Sequence, residues 1–240
     1  MIINETENPH SIIIKPGIQN IDKKLGCPSP FPDKPSVMLI SGAMGSGKSS
    51  FLQSVMTATG EGRVYHKRFN KVIYTTPQET FDSEENHPFK DHPTNRIHFQ
   101  LTPALLNQVA DEAIAEKAEG GNTCFIIDDW SEELKSKQIE KALKKLIFKH
   151  RHYNLQIIIT VLALKALPKL LRSLVGVYVV FKPRSLIEME GFVTEVFSLK
   201  AIEADQLFQY VFQRPYDFLF YNQITHQYYR NFNELTIMKS

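Results

Sequence analysis

Eight consecutive residues, Gly42-Ala43-Met44-Gly45-Ser46-Gly47-Lys48-Ser49, match the pattern G-x-x-x-x-G-K-[ST]. The chemistry such a run serves is the capture of a polyphosphate. Gly42, Gly45 and Gly47 let the backbone curl with no Cβ in the way, so that successive N–H groups point at one anion. Lys48 brings a full positive charge to the β- and γ-oxygens, and the Ser49 hydroxyl is placed to ligate Mg²⁺. With Ser50, these residues form the expected cradle for ATP. Reading the run as a plain glycine-rich turn leaves Lys48-Ser49 unexplained.

Eighty residues beyond Lys48 lies a second chemical signal, Phe125-Ile126-Ile127-Asp128-Asp129, an apolar run closed by two carboxylates. Asp128 suits a magnesium holder, binding directly or through an intermediary. Asp129 suits the orientation or deprotonation of an attacking water. The alternative is that the pair caps a helix starting near Ser131.

These residues need elements to position them. The apolar run Val37–Ile40 precedes the glycines, and Phe51, Leu52, Val55 and Met56 follow at helical spacing, which predicts strand, loop, helix over one short stretch. Further strands are expected at Lys71–Thr75, Thr123–Ile127, Gln156–Leu162 and Val175–Phe181, with a short one at Ile97–Gln100. Helices are expected at Thr102–Ala118, capped by Thr102 ahead of Pro103, at Glu132–His150 and at Pro168–Ser173. This alternation implies parallel βαβ units, in which strand ends converge on a ligand crevice and the two acids face the phosphate loop. Outside that core, Ser11–Ile14 reads as an edge strand and residues 78–95 as a long acidic surface loop. Gly191–Leu199 reads as a strand, Ile202–Phe212 as a helix, and Phe218–Tyr229 as a hairpin whose aromatics pack a core. The whole reads as one domain: an N-terminal strand and loop over 1–36, the core over 37–182, and C-terminal strands and a helix over 183–240.

Among 240 residues, 42% are hydrophobic and 22% charged, with 11 Gly and 13 Pro, so disordered, collagen-like and coiled-coil classes are excluded. The longest apolar runs are far shorter than the roughly 20 residues a bilayer span needs. The start carries no basic, apolar and small-residue sequence of the secretory type, so an intracellular site is expected. Cys27 and Cys124 are widely separated and read as reduced, structural thiols rather than a disulfide or zinc site. His87 and His92 lie in the acidic loop without a metal-binding pattern.

The net charge of +2 conceals an uneven distribution. From Lys141 to Arg184 there are ten basic residues and no acid, whereas Glu79 to Asp91 is mostly acidic. On the expected helix, Lys141, Lys145 and Lys149 recur every fourth residue, opposite a stripe of Ile139, Leu143, Leu146 and Ile147. An anionic polymer is the expected partner of this surface; an ordinary solvated helix face is the alternative. No Asn-Lys-x-Asp run of the guanine-reading kind is present. A small-molecule kinase would keep an arginine-bearing lid and have less use for a second acid, so the paired carboxylates favour hydrolysis.

Taken in order, Gly42–Ser49, Ile126-Ile127-Asp128-Asp129, the segment Lys149-His150-Arg151-His152 leading to Thr160, and Lys165-Ala-Leu-Pro168-Lys-Leu-Leu-Arg172 resemble the FtsK–HerA superfamily. The likeness is to its genome-packaging ATPases of large DNA viruses and virophages. It spans about Val37–Phe181. The resemblance implies an α/β P-loop NTPase of RecA/FtsK-like fold, with a central, mainly parallel sheet flanked by helices and C-terminal antiparallel additions. It also implies ATP and Mg²⁺ as cofactors and ATP hydrolysis driving double-stranded DNA into a capsid. The partners it implies are further copies in a ring of five or six, and capsid or portal-vertex proteins, with no membrane. Its implied location is the host-cell cytoplasm, and the virion. A neighbouring subunit should supply an arginine: Arg151, with His150 where the family has Gly, is the first choice and Arg172 the second. For either, a DNA-phosphate contact or a structural ion pair is the alternative.

One departure stands out. Leu162 occupies about the position of the family's polar sensor, so either Thr160 substitutes for it or coupling works differently. Two other functions stay open: a P-loop kinase acting on a small acceptor, and a nucleotide-binding assembly switch with little turnover.

Overall fold

The computed structural model describes residues 24–237 apart from 84, 86 and 198; the expected strand at Ser11–Ile14 lies outside them. Nine strands form a single sheet: β1 (Val37–Ser41), β2 (Lys71–Thr75), β3 (Ile97–His98), β4 (Thr123–Ile127), β5 (Leu155–Val161), β6 (Val177–Phe181), β7 (Phe218–Asn222), β8 (Gln227–Arg230) and β9 (Asn233–Leu235). Their order is β3-β2-β4-β5-β1-β6-β7-β8-β9. The first six run parallel and the last three antiparallel. The strands of the parallel half are continuous apolar runs because both faces are covered.

Alternate residues divide the core in two. One face gathers Leu39, Phe125, Ile157 and Val180 beneath α3 (Pro103–Ala118), α4 (Lys137–Lys149), α6 (Leu186–Glu195) and α7 (Ala201–Val211). The other gathers Ile40, Ile126, Ile158 and Val179 beneath α1 (Lys48–Thr57), which buries Phe51, Leu52, Val55 and Met56. Two short helices, α2 (Gln78–Ser83) and α5 (Lys169–Arg172), complete the set. The Thr102 cap is present, its hydroxyl accepting the Leu105 N–H at 3.1 Å. The aromatics of the β7–β8 hairpin pack as core: Phe220 and Tyr229 meet edge to face.

Three expectations need correction. Gly191–Leu199 is no strand; α6 occupies residues 186–195, started by Ser185, whose hydroxyl accepts the Glu188 N–H at 3.2 Å. Met189, Phe192, Val193 and Val196 sit at helical spacing and pack on the sheet, outweighing the β-preference of single residues. Residues 78–95 are not all surface loop: α2 opens the segment, and His87 and Phe89 are buried against Tyr74. Finally, Glu132–His150 breaks at Ser136 into a short turn and α4.

Candidate active site

Residues 42–47 leave β1 as an irregular loop and enter α1 at Lys48. Two glycines are required here for distinct reasons. At Gly42 a Cβ would lie 2.5 Å from Ser46 Oγ and 2.7 Å from Phe181 Cβ, so no side chain fits. Gly47 has φ 107°, a conformation closed to other residues without strain, and it turns the chain into the helix. The loop thereby points backbone N–H groups and the N-terminus of α1 at one place. Ser46 Oγ is buried there without a hydrogen-bond partner among the described residues, the condition expected of a group awaiting a phosphate oxygen. Lys48 Nζ donates to the carbonyls of Gly42 at 2.7 Å and Ala43 at 3.0 Å, holding its charge inside the bend. Burial pushes its ammonium pKa below the usual lysine value, while Asp129 and Asp128 pull it back up and Arg184 adds to the lowering.

The two acids face this bend across one intervening strand. β5 pairs with β1 on one side and β4 on the other, so the tips of β1 and β4 stand two strand spacings apart, roughly 10 Å. That gap fits a terminal phosphate with its metal. The register Ile127↔Ile159, continued by one residue, sets Asp128 beside Thr160. Thr160 donates its proton to Asp128 Oδ1 at 2.5 Å and accepts the Asp129 N–H at 3.0 Å. Tyr74 donates to the other Asp128 oxygen at 2.7 Å, and His87 Nε2 lies 3.0 Å from the same phenol. Asp128 is thus a buried, fully oriented carboxylate with lone pairs to spare on both oxygens.

Asp129 differs. Its backbone is left-handed, φ 60°, which throws the carboxylate outward from the strand end, where Thr80 of α2 donates to it at 3.3 Å. Partial burial and then the neighbouring Asp128 raise its pKa above the ordinary aspartate value, which suits it to taking a proton from water. Neither acid caps a helix: the short turn after them starts at Glu133 with Glu132 before it. Ser49 and Asp128 fit a magnesium site, one hydroxyl and one carboxylate completed by phosphate oxygens. Among the described residues no three His, Cys, Asp or Glu side chains gather as a metal cluster.

Beyond the loop, away from the acids, a cavity of about 660 Å³ is walled by Phe181, Tyr216, Phe218 and Phe232, with the hydroxyls of Ser50 and Ser54 at α1. Tyr216 stands over Gly47 with a left-handed backbone, φ 67°. Sequence reasoning missed Tyr74, Thr80, Tyr216 and Arg184 around this site, since each comes from a separate strand, helix or loop.

Other expected residues fall elsewhere. Arg151 precedes β5, so it sits at the opposite end of the sheet from its own phosphate loop, roughly 20 Å away along a seven-residue strand. It therefore serves no phosphate of its own chain. Arg172 is buried: it pairs with Glu195 of α6 at 2.6 Å, and its Nη1 donates to the carbonyls of Leu164 and Leu167. That corrects its expected role as an arm reaching a neighbour, because the buried guanidinium is held within the subunit by Glu195 and two carbonyls. Thr160 likewise does not replace the polar sensor, since its single proton goes to Asp128. Leu162 is half exposed at the strand end, with its N–H on Ser131 Oγ at 3.0 Å. Lys141, Lys145 and Lys149 are all exposed along α4. No helix among the described residues is long and apolar enough to cross a membrane.

Comparison with known proteins gives the same architecture. The model of the NACHT domain family matches residues 36–215. No curated protein sequence matches the chain. Among solved structures, the genome-packaging NTPase B204 of Sulfolobus turreted icosahedral virus 2, in complex with ATP-γS, superimposes with TM-score 0.59 at 16% identity, over 85% of this chain and 98% of that one. The DNA-packaging ATPase B204 of Sulfolobus turreted icosahedral virus gives TM-score 0.61 at 14% identity, with the same coverages. The cytoplasmic domain of the Thermomonospora curvata type VII secretion ATPase EccC gives 0.56 at 11%, over 85% of this chain and 24% of that one. At these identities the likeness is one of fold.

Proposed function

The chain belongs to the NACHT domain family, and from that premise and the geometry of its phosphate site we propose that it is an ATP-hydrolysing double-stranded DNA translocase that packages a viral genome. The observation that carries the reading is the opposition of Lys48 and Ser49 to Asp128 and Asp129 across β5. A triphosphate fits between them, its β- and γ-phosphates on the loop N–H groups and Lys48. Ser49 and Asp128 would hold Mg²⁺, which when bound would offset charge on the β- and γ-oxygens. Asp129 orients the attacking water and receives its proton. Phe181, Tyr216 and Phe232 hold the base by stacking, since among the described residues the cavity they wall has no carboxylate or carboxamide side chain to read its edge.

The polymer partner is inferred from the exposed cations of α4, and packaging from the shared fold of the B204 proteins. In this reading the working form is a ring of five or six copies, at a capsid vertex in the host-cell cytoplasm. In the same reading Arg151, far from its own site, serves a neighbour's nucleotide. The test is turnover: hydrolysis should rise several-fold on adding linear duplex DNA and vanish in Lys48→Ala. Turnover indifferent to duplex, with no duplex binding at low salt, would defeat the translocase reading. Transfer of the γ-phosphate to a small acceptor in place of water would favour the kinase alternative.

A further inference from the structure

Arg184 belongs to no motif in the sequence, yet the sheet brings it to the site. β6 pairs in parallel with β1 in the register Ser41↔Val180, so the residues leaving β6 run beside the residues entering the phosphate loop. The approach is close enough that Phe181 excludes any side chain at Gly42. Three residues later, Arg184 Nη2 donates to the carbonyl of Met44, in the middle of the loop, at 3.1 Å. Arg184 is exposed, and among the described residues no carboxylate lies within ion-pair distance of its guanidinium. The nearby Glu188 instead accepts the Arg184 backbone N–H at 3.3 Å. Two other arginines are already committed: Arg172 to Glu195 and Arg230 to Asp217.

Held by one neutral carbonyl and by the field of Glu188 without an ion pair, the guanidinium gains from a phosphate, which offers charged oxygens to bond directly. The arm is roughly 7 Å long and planar, suited to grip two phosphate oxygens at once. Lys48 lies within the field of both Arg184 and the two acids, and by strand order a phosphate on Lys48 would have β6 and Arg184 on one side and β4 and the acids on the other.

We propose that Arg184 is a catalytic residue acting on its own chain's nucleotide, its guanidinium leaving the Met44 carbonyl to bind the γ-phosphate from the β6 side. This rests on the reading of residues 42–49 as a triphosphate site. In the step it serves, the water oxygen bonds to the γ-phosphorus as the bond to the β–γ bridging oxygen breaks. One water proton passes to Asp129, and ADP and inorganic phosphate result. Arg184 exchanges no proton; it neutralises charge on the γ- and bridging oxygens, where arginines are most effective.

Arg184→Gln removes the charge, and its readouts separate this role from a mere latch on the loop, because loss of a latch would weaken ADP and ATP-γS binding alike. Its kcat should fall by about 100-fold or more, with Arg184→Lys intermediate. ADP affinity should stay within about threefold while the preference for ATP-γS over ADP drops by about tenfold. Mixing Arg184→Gln with Lys48→Ala subunits should restore no hydrolysis, whereas mixing Arg151→Ala with Lys48→Ala should restore some. An unchanged kcat and ATP-γS preference in Arg184→Gln overturns the proposal while leaving the ATPase reading intact, and restored hydrolysis in its mixture overturns the same-chain assignment. A wild-type protein that binds neither nucleotide overturns both readings.

Discussion

One hydroxyl separates the duties of two adjacent carboxylates. Thr160 gives its proton to Asp128 and takes the N–H of Asp129, so one side chain on β5 fixes Asp128 inward and holds the turn that throws Asp129 outward. Thr160→Val keeps the shape and removes both bonds, leaving the part-buried Asp129 N–H unpaired at a cost of about 1 kcal/mol, the low end for such a group. We expect kcat to fall by about tenfold to a hundredfold with ATP-γS affinity nearly unchanged, and Thr160→Ser to recover most of the loss. Steady-state kinetics beside a nucleotide titration decide it; equal loss of binding and turnover would mean that Thr160 merely supports the fold. The phosphate loop was legible in the sequence because its parts are contiguous and each glycine answers a local constraint. The partners of Asp128 were not, because Tyr74 and Thr160 reach it from 54 and 32 residues away and only strand order brings them together.

At the level of elements, alternating apolar strands and helices made the parallel half of the sheet readable from Val37 to Phe181, since buried strands announce themselves by composition. Past Phe181 the helix at Ile202–Phe212 and the hairpin at Phe218–Tyr229 were also legible, as α7 and β7–β8, and the signal fails at one segment between them. Phe192, Thr194 and Val196 suggest a strand, yet tertiary packing makes the segment α6, and what docks that helix is Arg172. The guanidinium joins Glu195 of α6 to the carbonyls of Leu164 and Leu167 in the turn after β5, so three elements meet on one cation. Arg172→Ala strands a carboxylate and two carbonyls and should cost about 2–4 kcal/mol by denaturant unfolding. Glu195→Ala combined with it should cost little more than Arg172→Ala alone, the mark of a coupled pair. If Arg172→Ala were as stable as wild type but inactive, the clamp would be the wrong account and an arm across a subunit boundary the right one.

Over the whole molecule the charge is arranged in space as the sequence arranged it in order. α4 lies on the face of the sheet opposite α1 and runs from the acid end of β4 back toward the start of β5, about 20 Å in all. Its buried stripe of Ile139, Leu143, Leu146 and Ile147 leaves Lys141, Lys145 and Lys149 outward, with Lys144 over the half-exposed ring of Phe148. A solvated helix face of ordinary kind would intersperse acids; after Glu140 none appears until Glu188. If these lysines lie on duplex phosphates, each lysine–phosphate pair releases counterions and adds to the salt dependence. The variant with Lys141, Lys145 and Lys149 all changed to Ala should bind duplex more weakly, and the slope of log K against log salt should flatten by about 0.9 for each such pair removed, up to about 2.7. Unfolding temperature serves as the control, because all three side chains point away from the core. A uniform weakening across DNA sequences with a flatter slope places the polymer on this face; an unchanged slope moves it elsewhere on the molecule and reduces the stripe to solvation.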